Sequence, residues 1–181
     1  MIGFNCQKNT QAKMKIKKYK QPGLISEHNR YKVDHLFLLI GEDESFFCNY
    51  AAANFLLKEE GKPLLVYSER MEKVANRLKE ELIIGDNSMI ALDNSHENGF
   101  EIKKRITEKI KEIQKEHPDK NKFGLNYTGG TKTMIAHAYQ ALISYEFEHH
   151  PVFSYLDPSG LEMLIERDRG NPIPFKLFLE P

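Results

Sequence analysis

The stretch Leu125-Asn126-Tyr127-Thr128-Gly129-Gly130-Thr131-Lys132-Thr133-Met134 contains the end of an apolar strand, a glycine turn and the polar start of a helix. Glycine has no Cβ, so the backbone at Gly129 and Gly130 can adopt positive φ and approach a ligand closely. The amides that follow would head the helix, where unpaired N–H groups and the helix dipole favour an anion. Two threonine hydroxyls and a lysine ammonium add donors. The stretch therefore predicts a phosphate-binding turn between a strand and a helix.

Strand and helix patterns alternate along much of the remaining chain. Residues 36–40 form a continuous apolar run, which is typical of a strand buried on both faces of a sheet. Further strands are predicted at residues 64–67, 88–92 and 123–127, and helices follow the apolar spacings of residues 47–58, 71–82, 102–113 and 134–145.

Beyond residue 151 the pattern changes to short strands. Residues 152–156 and 161–165 are separated only by Asp157-Pro158-Ser159-Gly160, which predicts a hairpin, and residues 174–179 predict an edge strand. The order of elements predicts an α/β fold, namely a Rossmann-like, doubly wound, mainly parallel sheet with a C-terminal β-hairpin. If the strand order is 3-2-1-4, the loops after the first and fourth strands flank the point where the winding reverses, and ligands bind there.

Length and composition limit the number of domains and the classes of partner that the protein can have. The 181 residues suffice for one domain, predicted at residues 34–181, after a basic N-terminal arm or tail at residues 1–33. The 26 Lys and Arg residues balance 26 Asp and Glu residues, so no overall field favours a long nucleic acid. Two cysteines without metal or redox spacing, and no apolar run of ~20 residues, predict a cytoplasmic protein that does not enter a membrane.

Common nucleotide-binding motifs do not account for the glycine turn. A Walker A motif places glycine directly before its lysine, whereas Thr131 precedes Lys132 here. A dinucleotide fingerprint fails as well, because Gly41 is followed by three acidic residues that would repel a pyrophosphate. The histidines lack metal-ligand spacing, so neither a metal nor a cofactor is expected.

The turn resembles the signature of the CRISPR-associated Rossmann fold, or CARF, domain, which senses cyclic oligoadenylates. That signature follows the fourth strand and reads Asn or Asp, any residue, Ser or Thr, three residues, then Lys or Arg. Asn126, Thr128 and Lys132 fill it, with the two glycines between them. The resemblance runs from about residue 34 to about residue 167.

The resemblance also includes the loops after the first two strands. Cys48-Asn49-Tyr50 and Tyr67-Ser68-Glu69 are similar to the branch found on CRISPR ancillary nucleases. That branch commonly has a proline where Cys48 stands, so the match of the first loop is less complete than that of the turn.

A homodimer is implied, in which two turns face each other across a twofold axis and hold one ring of adenylates. Phosphates would lie at the amides of the turn, and Asn126 or Asn49 would read adenine or ribose edges. Capping of the helix is an alternative role for Thr128 and Thr131 that is compatible with binding. The ligand-binding residues implied are Gly41, Asp43, Asn49, Ser68, Asn126, Thr128, Gly129, Gly130, Thr131 and Lys132.

The fate of the bound ligand stays open between three outcomes. A ring nuclease of type III CRISPR antiviral signalling would let a ribose 2′-hydroxyl attack the neighbouring phosphorus without a metal, with Lys132, Ser45 and Thr128 as catalytic residues. The protein could instead be a sensor or sink that only binds the messenger, or a subunit that acts with a separate effector protein. A mononucleotide-dependent enzyme using the same crevice is the hypothesis from another class. Degradation is preferred because removal of the ligand needs no second domain.

Overall fold

The computed structural model describes residues 27–92 and 98–177, so most of the basic arm lies outside the described residues. A seven-stranded sheet with strand order β3-β2-β1-β4-β5-β6-β7 forms the centre. The strands are β1 Val33–Leu39, β2 Leu57–Tyr67, β3 Met89–Ala91, β4 Phe123–Asn126, β5 Val152–Asp157, β6 Glu162–Ile165 and β7 Ile173–Lys176. The helices are α1 Glu44–Leu56, α2 Glu72–Leu82, α3 Gly99–Glu116 and α4 Lys132–Ile143.

The direction of the strands confirms the doubly wound α/β fold. β1 pairs in parallel with both β2 and β4, and the parallel part of the sheet extends to β3 on one side and β5 on the other. β5, β6 and β7 pair antiparallel, which gives the expected hairpin and an edge strand after it. The winding therefore reverses between β1 and β4, as the order 3-2-1-4 requires.

Each face of the sheet has its own hydrophobic core. Leu36 and Leu38 of β1 face the layer that contains α1 and α2. Phe37 and Leu39 alternate to the other face and join the layer of α3 and α4, as the two-residue period of a strand demands. The predicted isoleucine stripe of α3 lies in that second core, where Ile102, Ile106, Ile110 and Ile113 are all buried.

The boundary between α1 and β2 differs from the sequence-based expectation. Lys58 was expected on the helix, but the helix ends at Leu56 and β2 begins at Leu57. A bulge in the pairing with β1, between Val33 and His35, accommodates the polar part of this longer strand. Lys58 then lies where its ammonium forms an ion pair with Asp34, at 2.8 Å.

Residues before β1 contact the hydrophobic core on the face of the sheet that α1 and α2 cover. The ring of His28 stacks on Phe55 with the centroids 4.0 Å apart, and Tyr31 lies edge-on to Phe175. The predicted division between an arm ending at residue 33 and a domain beginning at residue 34 stays a prediction. No helix in the described part of the chain has the length and apolar character needed to cross a membrane.

Candidate functional site

The turn after β4 is fixed to the neighbouring strand by two side chains of the predicted signature. Asn126 is fully buried, and its Oδ1 accepts a hydrogen bond from the Thr128 amide at 3.2 Å while its Nδ2 donates to Ser154 Oγ at 3.1 Å. Thr128 Oγ1 accepts from the Leu156 amide at 2.7 Å. Both residues therefore position the turn, and the amide of Asn126 makes its hydrogen bonds within the protein.

The two glycines serve different purposes. Gly130 has φ of 81°, which is the left-handed conformation that glycine adopts without strain. Gly129 is not among the residues of positive φ, so the expectation of positive φ is confirmed at Gly130 only. A Cβ on Gly129 would lie 2.3 Å from the carbonyl oxygen of Leu39, so this position needs glycine for close approach to β1.

The start of α4 presents hydrogen-bond donors. Thr131 is the N-cap residue, and its Oγ1 accepts from the Met134 amide at 3.2 Å. Lys132, the first residue of the helix, is exposed, and the first turn contains no acidic residue. Within the described ranges the amides of Gly130 and Lys132 make no hydrogen bond. A helix start with unpaired N–H groups and a lysine is a suitable place for an anion.

The first loop meets this turn, as the strand order predicted. The amide of Gly41 donates to Ser45 Oγ at 3.0 Å. A Cβ on Gly41 would lie 2.9 Å from the Gly130 nitrogen, and one on Gly129 would lie 3.0 Å from Ser45 Cβ. The structure therefore brings Gly41, Ser45 and the glycine turn together at the carboxyl ends of β1 and β4.

The remaining predicted residues lie around this contact in different environments. Asn49 is fully buried in α1, and its Nδ2 donates to the carbonyl oxygen of Leu39 at 3.0 Å while its Oδ1 has no partner in the described structure. Asp43 is exposed and forms an ion pair with Arg77 of α2 at 3.5 Å. Ser68 is buried directly after β2. Asn49 and Gly129 thus both lie against the carbonyl group of Leu39, whereas Asp43 pairs with Arg77 of α2.

A carboxylate that sequence reasoning missed lies on the other side of the turn. Glu166 accepts a hydrogen bond from the Tyr127 phenol at 2.5 Å and another from the Tyr139 phenol at 2.9 Å. Burial, together with Glu166, raises the pKa of Tyr127 far above its usual range and the pKa of Tyr139 to about 12. Both phenols therefore stay protonated donors. No sequence signal could have found this cluster, because its three residues lie on separate elements without a common spacing.

Two open clefts lie near the ends of the strands. One, of about 590 Å³, borders the first loop and is lined by Glu42, Asp43, Arg70, Met71, Lys73, Val74 and Arg77. The other, of about 790 Å³, lies at the opposite ends of the parallel strands, and its lining includes Asp34, Lys58 and Lys122. No cluster of three metal-ligating side chains occurs among residues 27–92 and 98–177.

Comparison with known proteins gives a family and a fold. The family model of the Card1 CARF domain matches residues 52–169. Can2 from Sulfobacillus thermosulfidooxidans, solved in complex with cyclic tetra-adenylate, has a similar structure, with 17% identity, a TM-score of 0.51, and coverage of 77% of this chain and 38% of that chain. Protein VC1899 from Vibrio cholerae is similar with 16% identity, a TM-score of 0.54, and coverage of 76% of this chain and 34% of that chain.

At such low identities the two structures establish likeness of fold alone. This chain matches little more than a third of the length of either of them. Among curated proteins, none is significantly similar to it in sequence.

Proposed function

The chain belongs to the Card1 CARF domain family, and from that premise we propose that a homodimer of the chain binds a cyclic oligoadenylate, namely cyclic tetra-adenylate. The homodimer would cleave this ring without a metal, as part of type III CRISPR antiviral signalling. The observation that carries the proposal is the turn of residues 128–131, which is held against the first loop and opens α4 with unpaired amides. A ring of phosphodiesters offers the anions that such a turn binds.

The hydroxyl groups of the site can donate hydrogen bonds to a ligand. Ser45 Oγ, Thr128 Oγ1 and Thr131 Oγ1 each accept a hydrogen bond from a backbone amide. Because each oxygen accepts within the protein, its hydroxyl hydrogen is available for a phosphate oxygen. Lys132 adds a positive charge at the same helix start. These donors support phosphate contacts at the turn.

The symmetry of the ligand supports a dimer. A ring with an even number of adenylates can have a twofold axis, so two copies of one turn can bind opposite phosphates through an isologous interface. Can2, whose fold is similar, was solved with cyclic tetra-adenylate, which makes that ring the first one to test.

Cleavage would be an internal transesterification. The 2′-oxygen of one ribose forms a bond to the adjacent phosphorus and gives up its proton, while the bond from phosphorus to the 5′-oxygen breaks and that oxygen takes up a proton. The products carry a 2′,3′-cyclic phosphate and a 5′-hydroxyl. Ser45 and Thr128 would orient the 2′-hydroxyl, and Lys132 with the turn amides would stabilise charge that develops on the phosphate.

Isothermal titration tests the binding part of this proposal. One cyclic tetra-adenylate per two chains is the expected result. One mononucleotide per chain would favour the alternative of a mononucleotide-dependent enzyme, and no binding of either ligand would contradict both functions.

Incubation of labelled cyclic tetra-adenylate with the protein in EDTA tests the cleavage part. Linear products ending in a 2′,3′-cyclic phosphate are expected from the unaltered protein, and Lys132→Ala should abolish them. Lys111→Ala is the matched control, because Lys111 is an exposed lysine in the middle of α3. Tight binding with an intact ring would contradict the nuclease and leave a sensor or sink, with or without a separate effector.

A further inference from the structure

We propose that Glu166 is a positioning residue for the ligand-binding turn, although it lies on the C-terminal hairpin and not in either loop of the site. The proposal deepens the function given above and rests on it for its ligand. Glu166 directly follows β6, and its backbone amide donates to the carbonyl oxygen of Phe153 in β5 at 2.9 Å. Its position is therefore set by the sheet.

The carboxylate holds one residue on each side of the turn. Tyr127 directly precedes Thr128, and Tyr139 lies about two helical turns into α4. Their phenols donate to different oxygens of the same carboxylate, Oε1 and Oε2 respectively. Since β4 leads into the turn and α4 leads out of it, one side chain fixes the angle between strand and helix.

We call Glu166, Tyr127 and Tyr139 the clamp, and aromatic packing further restrains its two tyrosines. The ring of Tyr139 stacks on Phe153 with centroids 4.2 Å apart, and the ring of Tyr127 lies 5.4 Å from that of Tyr155. The backbone amide of Tyr127 also donates to the carbonyl oxygen of Ser154 at 3.0 Å. Tyr127 is thus held both by its backbone amide and by its phenol.

A carboxylate suits this position better than a neutral acceptor. Both phenols are half-buried donors whose raised pKa keeps them protonated. A hydrogen bond to a charged acceptor contributes more than one between neutral groups. Glutamine in place of Glu166 keeps one oxygen acceptor and offers an amide to the other phenol oxygen, so it should preserve the geometry in part.

Ligand affinity of four variants tests the proposal. Glu166→Ala and Tyr127→Phe should each weaken binding of cyclic tetra-adenylate by about tenfold, and the double variant should be no weaker than Glu166→Ala alone. Glu166→Gln should recover most of the affinity. The matched control is Glu162→Ala, because Glu162 is a glutamate of the same hairpin whose carboxylate makes no hydrogen bond or ion pair with the described residues.

A destabilised variant outside the clamp distinguishes the proposed role of Glu166 from a general effect of stability on binding. Asn98→Ala removes the N-cap of α3 and should lower the melting temperature without changing affinity. If Glu166→Ala and Tyr127→Phe bind the ring as tightly as the unaltered protein, or if their losses simply add, the positioning role is overturned.

Hydrogen exchange of the ligand-free protein tests the clamp independently of the ligand. The amides of Thr128 and Leu156 are hydrogen-bonded by the side chains that fix the turn, and Tyr127→Phe should accelerate their exchange. Unchanged exchange would overturn the clamp even if Glu166→Ala does not fold. If the unaltered protein binds no cyclic oligoadenylate while exchange does accelerate, the proposed function fails and the positioning of the turn stands.

Discussion

Gly129 is the residue of the turn with the least room for a side chain. The atom nearest to an added Cβ is a backbone oxygen, that of Leu39 at 2.3 Å, and it belongs to β1. Neither partner can move without displacing β1 or the turn. The glycine is therefore required by the contact between the two loops and not by its own φ.

Gly129→Ala should accordingly lower the free energy of unfolding by about 2 kcal/mol or more and displace the turn. Gly160→Ala is the matched control, because a Cβ there would meet only the flexible side chain of Glu162, at 3.4 Å. Urea unfolding of both variants, with titration of cyclic tetra-adenylate, provides the measurement. Equal stability and affinity of the two variants would contradict the close approach.

Burial of His35 should make the protein sensitive to acid. Burial lowers the pKa of His35 to about 4, from an ordinary value of 6.5, with the charge of Asp34 opposing the shift. Above pH 6.5 the imidazole is neutral in both states, so its contribution to stability is fully present. Between pH 6.5 and about 4 the unfolded chain binds a proton that the folded protein does not, and stability falls by up to about 3 kcal/mol.

Urea unfolding at pH 7.5 and pH 5 measures this loss. His35→Leu should show a smaller decrease between the two values than the unaltered protein. Some decrease should remain, because burial also lowers the pKa of His28. An identical decrease in both proteins would show that His35 is protonated equally in the folded and unfolded states.

At the scale of elements, two of the described helices begin with a side-chain cap, and one of these two opens at the site. Thr131 caps α4, and Asn98 caps α3 by accepting from the amides of Phe100 and Glu101. Removal of either cap costs about 1 kcal/mol of stability. The two helices therefore allow the cost of a lost cap to be separated from the cost of a lost ligand contact.

Thr131→Ala and Asn98→Ala should lower the melting temperature by similar amounts, and only Thr131→Ala should weaken binding of cyclic tetra-adenylate, by roughly three- to tenfold. Thermal unfolding and titration of both variants give the comparison. A loss of affinity in Asn98→Ala as large as in Thr131→Ala would mean that binding responds to stability in general.

The elements also show which parts of the fold can be read from local sequence. The isoleucine stripe of α3 was predictable, because isoleucines at helical spacing all lie on one face of a helix and that face is buried. The polar start of β1 was not, because Asp34 is satisfied by the Lys58 ammonium at 2.8 Å and the Lys122 amide at 3.1 Å, partners far along the chain. The contacts of Glu166 could not be predicted from local sequence either, because they depend on the register of the hairpin. The placement of the glycines, threonines and lysine in a turn between a strand and a helix was predictable, because the turn itself is local.

At the scale of the whole molecule, the order of strands places the loops after β1 and β4 side by side. The chain leaves β1 toward α1 on one face of the sheet and leaves β4 toward α4 on the other. Because β1 and β4 are neighbours, their outgoing segments lead to opposite faces of the sheet, and ligands of such folds bind above the carboxyl ends of these strands. A ligand bound there would contact both layers, so binding should stabilise the entire fold.

Cyclic tetra-adenylate at a hundred times its dissociation constant should add about 2.7 kcal/mol to the stability of the folded state, which for a chain of this size raises the melting temperature by roughly 5 to 10 °C. If the ring joins two chains, the melting temperature of the complex should also rise with protein concentration at saturating ligand, because unfolding then separates a dimer. Adenosine monophosphate at the same adenine concentration should have no such effect. A shift that is independent of protein concentration would indicate that each chain binds its ligand alone, and it would contradict the shared ring.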